Sequence, residues 1–179
     1  MKSKKGAMEM SVGTIVTIVL LMSVLVLGLV LIKNILGGAM DIVDMTNEQM
    51  ENQVNKLFGE DKDLVVLPAS REVKIKHEEQ DAFGIGIKNN LKGVSGTKTF
   101  SYETVVADVG DCGIEESEIK TWIISGADSN IPIAVGKIAV DKVFVKIPAG
   151  APFCTFKLRV NVNAEETSYA TDSVFIEIK

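Results

Sequence analysis

The stretch from Met10 to Ile32, MSVGTIVTIVLLMSVLVLGLVLI, decides how this chain is organised. It contains no charged residue, and from Ile18 onward only Ser23 and Gly28 interrupt its apolar side chains. At about 1.5 Å per residue, a helix over this stretch spans roughly 35 Å, enough to cross a hydrocarbon layer about 30 Å thick. Because a helix satisfies its backbone hydrogen bonds within the segment, we predict a membrane-spanning helix here.

The charges around this stretch predict its orientation. Lys2, Lys4 and Lys5 precede it, and Lys33 alone follows it directly. The positive-inside rule therefore places the N-terminus in the cytoplasm and the C-terminal part outside a cell membrane that the chain crosses once. Of the 24 acidic residues only Glu9 precedes Lys33, so the exported part is acidic and is a poor candidate for nucleic-acid binding.

A cleaved secretory signal is the competing interpretation of the N-terminal stretch. Such a signal has an apolar region of about 7–15 residues, followed by a small-x-small cleavage site. The apolar stretch of this chain is longer, although Gly37-Gly38-Ala39 after it resembles such a site. The anchor interpretation is favoured, and both remain open.

The segment KSKKGAMEMSVGTIV, from Lys2 to Val16, resembles the class III signals of archaeal type IV pilin-like proteins and archaellins. The resemblance implies that a prepilin-peptidase-like membrane enzyme cuts between Gly6 and Ala7 and leaves the helix on the mature chain. It also implies that Glu9 sets the register of subunits in a filament. In many type IV pilins the acid is the fifth mature residue, whereas Glu9 would be the third. A plain anchor with a basic topology signal is the alternative.

An amphipathic helical stalk is predicted over residues 37–62. Apolar residues recur there at alternating spacings of four and three, as in a heptad seam with one polar member. We expect one continuous helix from about Ala7 to Phe58, and its apolar stripe can pack on the chain's own head domain or on other copies of the helix. The predicted seam comprises Leu36, Met40, Val43, Asn47, Met50, Val54 and Leu57.

From residue 63 to 179 the apolar pattern changes to a period of two. About eight short strands alternate with turn signals and no helical pattern is evident, which predicts an antiparallel β-sandwich. One strand is predicted at Thr121–Ser125 and a turn at Gly126–Asn130. The segment from Ile147 to Pro152, before a long alternating strand, resembles immunoglobulin-like domains of microbial surface proteins. The predicted fold class is α+β, a long N-terminal helix followed by an immunoglobulin-like sandwich.

The two cysteines, Cys112 and Cys154, are predicted to form a disulfide, because their number is even and the domain is exported. Two separate thiols are the alternative. Cys154 is in phase with the buried side of its strand, and Cys112 lies in a Gly-Asp-Cys-Gly turn. Trp122 is expected in the core.

No residue pattern predicts catalysis, and we expect neither an enzyme nor a cofactor. His77 lies in a polar run and is a weak candidate for a catalytic base. Four acidic residues between positions 108 and 116 match no defined calcium loop, so no metal site is predicted. The four residues are Asp108, Asp111, Glu115 and Glu116.

The sequence thus predicts a cytoplasmic leader over 1–6, a transmembrane helix over 7–36, a stalk over 37–62 and an extracellular domain over 63–179. The function expected is that of a pilin-like structural or adhesive subunit of a type IV pilus-like assembly. Its expected partners are the membrane and further copies of the chain, joined through the N-terminal helix. A membrane-tethered extracellular binding domain that never polymerises is the alternative.

Overall fold

The computed structural model describes residues 12–36, 42–59, 62–93 and 95–179 of the chain. The chain divides into two compact units, Met1–Gly38 and Ala39–Lys179. Among these described residues, the first unit has helix α1, and the second has two short helices and two β-sheets.

Helix α1 spans Val12–Leu36 and has the composition expected from the apolar stretch. Its segment Gly13–Val30 has a mean hydropathy of 2.7 and is long and apolar enough to cross a membrane. It is the one such helix among the described residues, and a signal sequence has the same properties. The prediction is therefore confirmed at the level of an apolar N-terminal helix with the length and composition of an anchor or of a signal sequence.

Helix α2 spans Asn47–Leu57 and begins independently of α1. The Thr46 hydroxyl accepts a hydrogen bond from the Gln49 backbone N–H, and the Gln49 side chain accepts one from the Thr46 N–H. This capping box starts a helix, and Thr46 has an extended backbone with φ −72° and ψ 159°. Residues 42–44 form a turn. The continuous helix expected from about Ala7 to Phe58 is therefore wrong in the region before Asn47.

The described part of the second unit has eight strands in two sheets. One sheet has three strands in the order β1-β3-β6, and the other has five in the order β2-β8-β7-β4-β5. A third helix, α3 (Glu116–Trp122), lies between β4 and β5. The strands are β1 (Leu64–Leu67), β2 (Glu72–Ile75), β3 (Gln80–Lys88), β4 (Thr97–Asp108), β5 (Ala127–Ala134), β6 (Ile138–Lys146), β7 (Thr155–Ala164) and β8 (Thr167–Ile178).

This strand order is the immunoglobulin-like one. Immunoglobulin domains place their strands A, B and E in one sheet and C, F and G in the other. Here β1, β3 and β6 occupy the positions of strands A, B and E. Strands β4, β7 and β8 occupy the positions of strands C, F and G. The predicted β-sandwich is confirmed. One pair departs from the antiparallel pattern, because β2 runs parallel to β8.

Two local predictions in the sandwich are wrong. The strand expected at Thr121–Ser125 is replaced by the end of α3 and a single β-bridge between Ile123 and Val145. Ala127–Asn130, most of the turn expected at Gly126–Asn130, belong to β5, which is paired with β4. Ile119 and Trp122, three residues apart, both face the core, and this helical spacing overrides the apparent alternation.

The core lies between the two sheets. The residues of β7 alternate between the core and the outer face, so that Phe156, Leu158 and Val160 are buried. The Trp122 ring packs against Phe156, with the ring centroids 5.7 Å apart, which confirms Trp122 as a core residue. At one end of the sandwich the buried Asn89 side chain donates a hydrogen bond of 2.8 Å to the Ile133 carbonyl.

Candidate functional site

The residues predicted to direct processing and assembly, Gly6, Ala7 and Glu9, lie outside the described residues. Of the predicted membrane element, the structure describes the helix from Val12 onward. Catalytic, metal-binding and cofactor-binding residues were not predicted. The candidate functional features are therefore surfaces: the apolar face of α1, the docking site of α2, the disulfide-linked end of the sandwich and a lateral cleft.

The surface of α1 is apolar around its whole circumference. Its large side chains from Ile15 to Val30 are between 46% and 68% exposed. The two hydroxyl groups in this range bond within the helix: Thr17 donates to the Gly13 carbonyl and Ser23 to the Val19 carbonyl, each at 2.8 Å. The helix thus presents apolar surface with its polar side chains satisfied, which suits lipid or another apolar helix.

Helix α2 docks on the outer face of the three-stranded sheet. Met50 and Val54 of the predicted seam are fully buried there, in a cluster with Val65, Leu67 and Ala82. The seam residues from Met50 onward therefore pack on the chain's own domain. The sequence left two partners open for this apolar stripe, the chain's own head domain and other copies of the helix. For the residues from Met50 onward, the structure shows the head domain.

Two glycines of β3 form the trough in which α2 lies. A Cβ atom added at Gly84 would be 2.8 Å from the Met50 sulfur, and one added at Gly86 would overlap Val54. The intervening residues Phe83, Ile85 and Ile87 face the core on the opposite side. Ala82, Gly84 and Gly86 are thus small because α2 passes directly over this face of β3.

The turn before α2 is held by a lysine of β6. The Lys142 ammonium group donates hydrogen bonds to the main-chain carbonyls of Val43 and Met45, at 2.8 and 2.6 Å. Ile42 and Met45 are buried in the same cluster as α2. Hydrogen bonds and apolar packing therefore fix the start of α2 on the domain.

The two cysteines are bonded to each other and close one end of the sandwich. Cys112, in the connection between β4 and α3, is joined to Cys154, just before β7, with their Cα atoms 4.9 Å apart. Asp111 lies beside the bridge and accepts a 2.7 Å hydrogen bond from the Thr155 N–H. Because both sulfur atoms are engaged in the disulfide, this group of residues does not provide thiolate ligands for a metal.

His77 contacts the loop before β7, at the end of the domain that carries the disulfide. Its Nε2 lies 2.6 Å from the Ala151 carbonyl oxygen, and its ring packs edge-on against Phe153 at 4.6 Å between centroids. Phe153 itself is 74% exposed. Sequence reasoning missed this contact, because the two residues belong to loops far apart in the chain.

A lateral cleft opens between β5 and β6 and has a volume of about 240 Å³. Ile85 and Ile87 of the core contribute to its lining, together with Asp128 and Asp141. The Tyr102 hydroxyl donates a 2.7 Å hydrogen bond to Asp141 Oδ2. Burial, and next this hydrogen bond, raise the pKa of Tyr102 far above its ordinary value. The sequence analysis did not identify this cleft, because its lining comes from three strands.

Comparison with known proteins assigns the chain to no family: no protein-family model matches it, and no curated protein matches it. Several solved structures resemble it distantly. A family 123 glycoside hydrolase from Clostridium perfringens aligns at 16% identity and a TM-score of 0.44, over 60% of this chain. The chain spans only 22% of the length of that hydrolase.

Two further structures align over most of their own length and are also distant. The CARDB domain of a Pyrococcus furiosus protein, solved in complex with di-metal ions, is 10% identical, with a TM-score of 0.42. The alignment covers 65% of this chain and 88% of that domain. A cohesin–dockerin complex from Clostridium thermocellum is 11% identical over 65% of this chain and 98% of the other, with a TM-score of 0.32. None of these likenesses extends to function.

Proposed function

We propose that this protein is a membrane-anchored surface subunit with its sandwich domain outside the cell, and that it forms part of a type IV pilus-like assembly. In this proposal the leader is cut between Gly6 and Ala7, and α1 remains on the mature chain. The helices of neighbouring subunits pack together in the filament, and the sandwich domains form its outer surface.

The observation that supports the proposal best is the contrast between the two units. Helix α1 has an uncovered apolar surface on every side, whereas α2 buries its own apolar residues on the domain. A domain that buries its own core and carries a disulfide, preceded by a wholly apolar helix, suits a subunit whose helix inserts into a membrane or among other helices. The basic leader Lys4-Lys5-Gly6 before this helix adds the expected processing site.

A second candidate function is a tethered binding domain that stays monomeric in the membrane. The docking of α2 favours it in one respect, because Met50 and Val54 are already buried within one chain and are not available to a helical bundle. In the tether, lipid alone covers α1. The two functions therefore differ in what surrounds α1.

Glu9 distinguishes the two functions. In a filament, an acid near the start of a packed helix needs a partner, such as the free amino group of Ala7 on the same or a neighbouring subunit. Removing one member of a buried ion pair costs about 3–5 kcal/mol, because the other charge is left unpaired. In a tether, Glu9 lies at the wet cytoplasmic interface and its neutralisation has little effect.

The test is Glu9→Gln in the native host with its own secretion machinery, compared with Glu48→Gln, a change at an exposed position of α2. The pilin-like function predicts normal membrane insertion and loss of sedimentable filaments for Glu9→Gln, with filaments retained for Glu48→Gln. A wild-type protein that forms no filaments there, together with unchanged abundance and oligomeric state in Glu9→Gln, supports the tether instead.

A further inference from the structure

The cleft between β5 and β6 results from the way these two strands separate. They are joined by the short turn at residues 135–137, but β5 pairs with β4 in one sheet and β6 pairs with β3 in the other. No described strand bridges the gap between them. Five apolar residues therefore line an opening in the side of the sandwich: Ile85, Ile87, Ile131, Ala139 and Val140.

Two carboxylates share this opening with the apolar residues. Asp141 is half-buried; its Oδ2 accepts from the Tyr102 hydroxyl and its Oδ1 from the Lys142 N–H, each at 2.7 Å. Asp128 lies on β5, and its Oδ1 accepts a 2.7 Å hydrogen bond from the Ser129 N–H. Within the part of the chain that the structure describes, neither carboxylate forms an ion pair with a basic side chain.

Lys142, which follows Asp141 directly in the chain, forms no ion pair with either carboxylate. The Lys142 ammonium group is directed to the carbonyls of Val43 and Met45, where it holds the start of α2. A partly buried charge without a partner of opposite sign is unfavourable, and a cation that enters the site would relieve this cost. The cleft thus combines apolar walls with an uncompensated negative charge.

The edge of β6 beside the cleft also has free main-chain groups. The Phe144 carbonyl accepts from the Ile124 N–H, and the Phe144 N–H donates to the Ser125 hydroxyl, so these groups point away from β3. Because main-chain direction alternates along a strand, the N–H and C=O groups of Ile138 and Val140 point to the same edge. In the described residues they have no main-chain partner there.

We propose that this cleft binds a lysine or arginine side chain on an extended segment of a partner protein. The methylene stem of such a side chain packs against Ile85, Ile131 and Ala139, and its charged group lies between Asp128 and Asp141. The main chain of the segment pairs with the open edge of β6, as peptides do in strand addition. The site is independent of whether α1 assembles into a filament.

The test uses the full-length chain in detergent micelles, with isoleucine methyl groups labelled for nuclear magnetic resonance. The probe is the capped peptide acetyl-Gly-Val-Lys-Val-Gly-amide, and its matched control has norleucine in place of lysine. The proposal predicts saturable shifts of the Ile85, Ile87 and Ile131 methyl signals with the lysine peptide. Binding of the norleucine peptide is expected to be weaker by about two- to fivefold, which is the scale of one accessible charge pair.

Three variants complete the experiment. Asp128→Asn and Asp141→Asn should each weaken binding of the lysine peptide, and Glu118→Gln on α3 should leave it unchanged. Asp128 is exposed, so its variant decides the outcome even if Asp141→Asn impairs folding. The proposal is overturned if the lysine peptide causes no saturable shift, if the norleucine peptide binds equally well, or if Asp128→Asn binds the lysine peptide as the wild type does.

Discussion

The two tyrosines of the chain have their hydroxyl groups in partly buried hydrogen bonds. Tyr102 donates to Asp141, and Tyr169 donates to the Lys88 carbonyl while it accepts from the Asn90 N–H. Burial is the largest cause that raises the pKa of both phenols. Neighbouring negative charge acts in the same direction, from Asp141 on Tyr102 and from Asp63 on Tyr169.

These raised pKa values predict a loss of stability in alkaline solution. A phenol whose pKa is higher in the folded state contributes stability that is complete below its unfolded pKa of about 10 and is lost as the pH rises through the folded pKa. At a pH of about 10.5, near-ultraviolet absorbance should show less phenolate in the folded protein than in the urea-unfolded protein. Equal phenolate in both states would contradict the buried positions of these two hydroxyl groups.

At the scale of single residues, the sequence predicted the features that follow from residue counts and from neighbouring apolar residues. The cysteine count predicted the disulfide, and the position of Trp122 beside apolar neighbours predicted a core residue. The sequence did not predict why β3 contains Gly84 and Gly86. The reason is the close approach of α2, which leaves no room for a side chain at either position. The acidic cleft was missed for the same reason, since Asp128 and Asp141 are brought together by separate strands.

At the scale of elements, the docking of α2 on β3 depends on the close approach of Val54 to Gly86. Alanine is ordinarily better than glycine in a strand, by roughly 0.5–1 kcal/mol. Here the added methyl group overlaps Val54, and overpacking typically costs about 1–3 kcal/mol. We therefore expect Gly86→Ala to lower the free energy of unfolding and to speed amide hydrogen exchange within Asn47–Leu57.

The matched control for this change is Gly150→Ala, where an added Cβ has open space. It should leave both measurements near the wild-type values. The double variant Gly86→Ala with Val54→Ala should recover slow exchange in α2, because it removes the overlapping methyl groups. Unchanged exchange in the single variant Gly86→Ala would show that α2 is not docked on β3.

The disulfide ties the connection after β4 to the start of β7, across a sequence separation of 42 residues. In the chain-entropy model a loop of this size contributes about 4 kcal/mol to stability. The double change Cys112→Ser with Cys154→Ser should therefore shift the urea unfolding midpoint of the full-length chain strongly downward. An unfolding free energy within about 1 kcal/mol of the wild type would mean that the bridge does not constrain the unfolded chain.

The elements that the sequence predicted well are those with a long, regular pattern. The apolar stretch became α1, and the alternation of β3, β6, β7 and β8 identified their strands. The short α3 was missed because Thr121 to Ser125 alternates like a strand, while tertiary packing of Ile119 and Trp122 favours the helix. Strand β5 was missed because Asp128-Ser129-Asn130 has turn composition, and its Pro132 is tolerated at the edge of a sheet.

At the scale of the whole molecule, the residues that the structure describes form one apolar helix and one immunoglobulin-like domain. Within the domain, α2 covers the apolar outer face of the three-stranded sheet. Sequence patterns predicted an apolar N-terminal helix followed by a β-sandwich. They did not predict that the region between them starts a new capped helix at Thr46, because a heptad pattern continues across that cap.

The central claim is that the mature protein loses its basic leader and keeps its apolar helix. The intact mass of the protein purified from its native membrane tests this claim most directly. The account predicts the mass of residues 7–179 with one disulfide. A mass that corresponds to a chain beginning at Met1 or Lys2 would contradict pilin-like processing, and a chain beginning after Ala39 would show that the helix is a removed signal sequence.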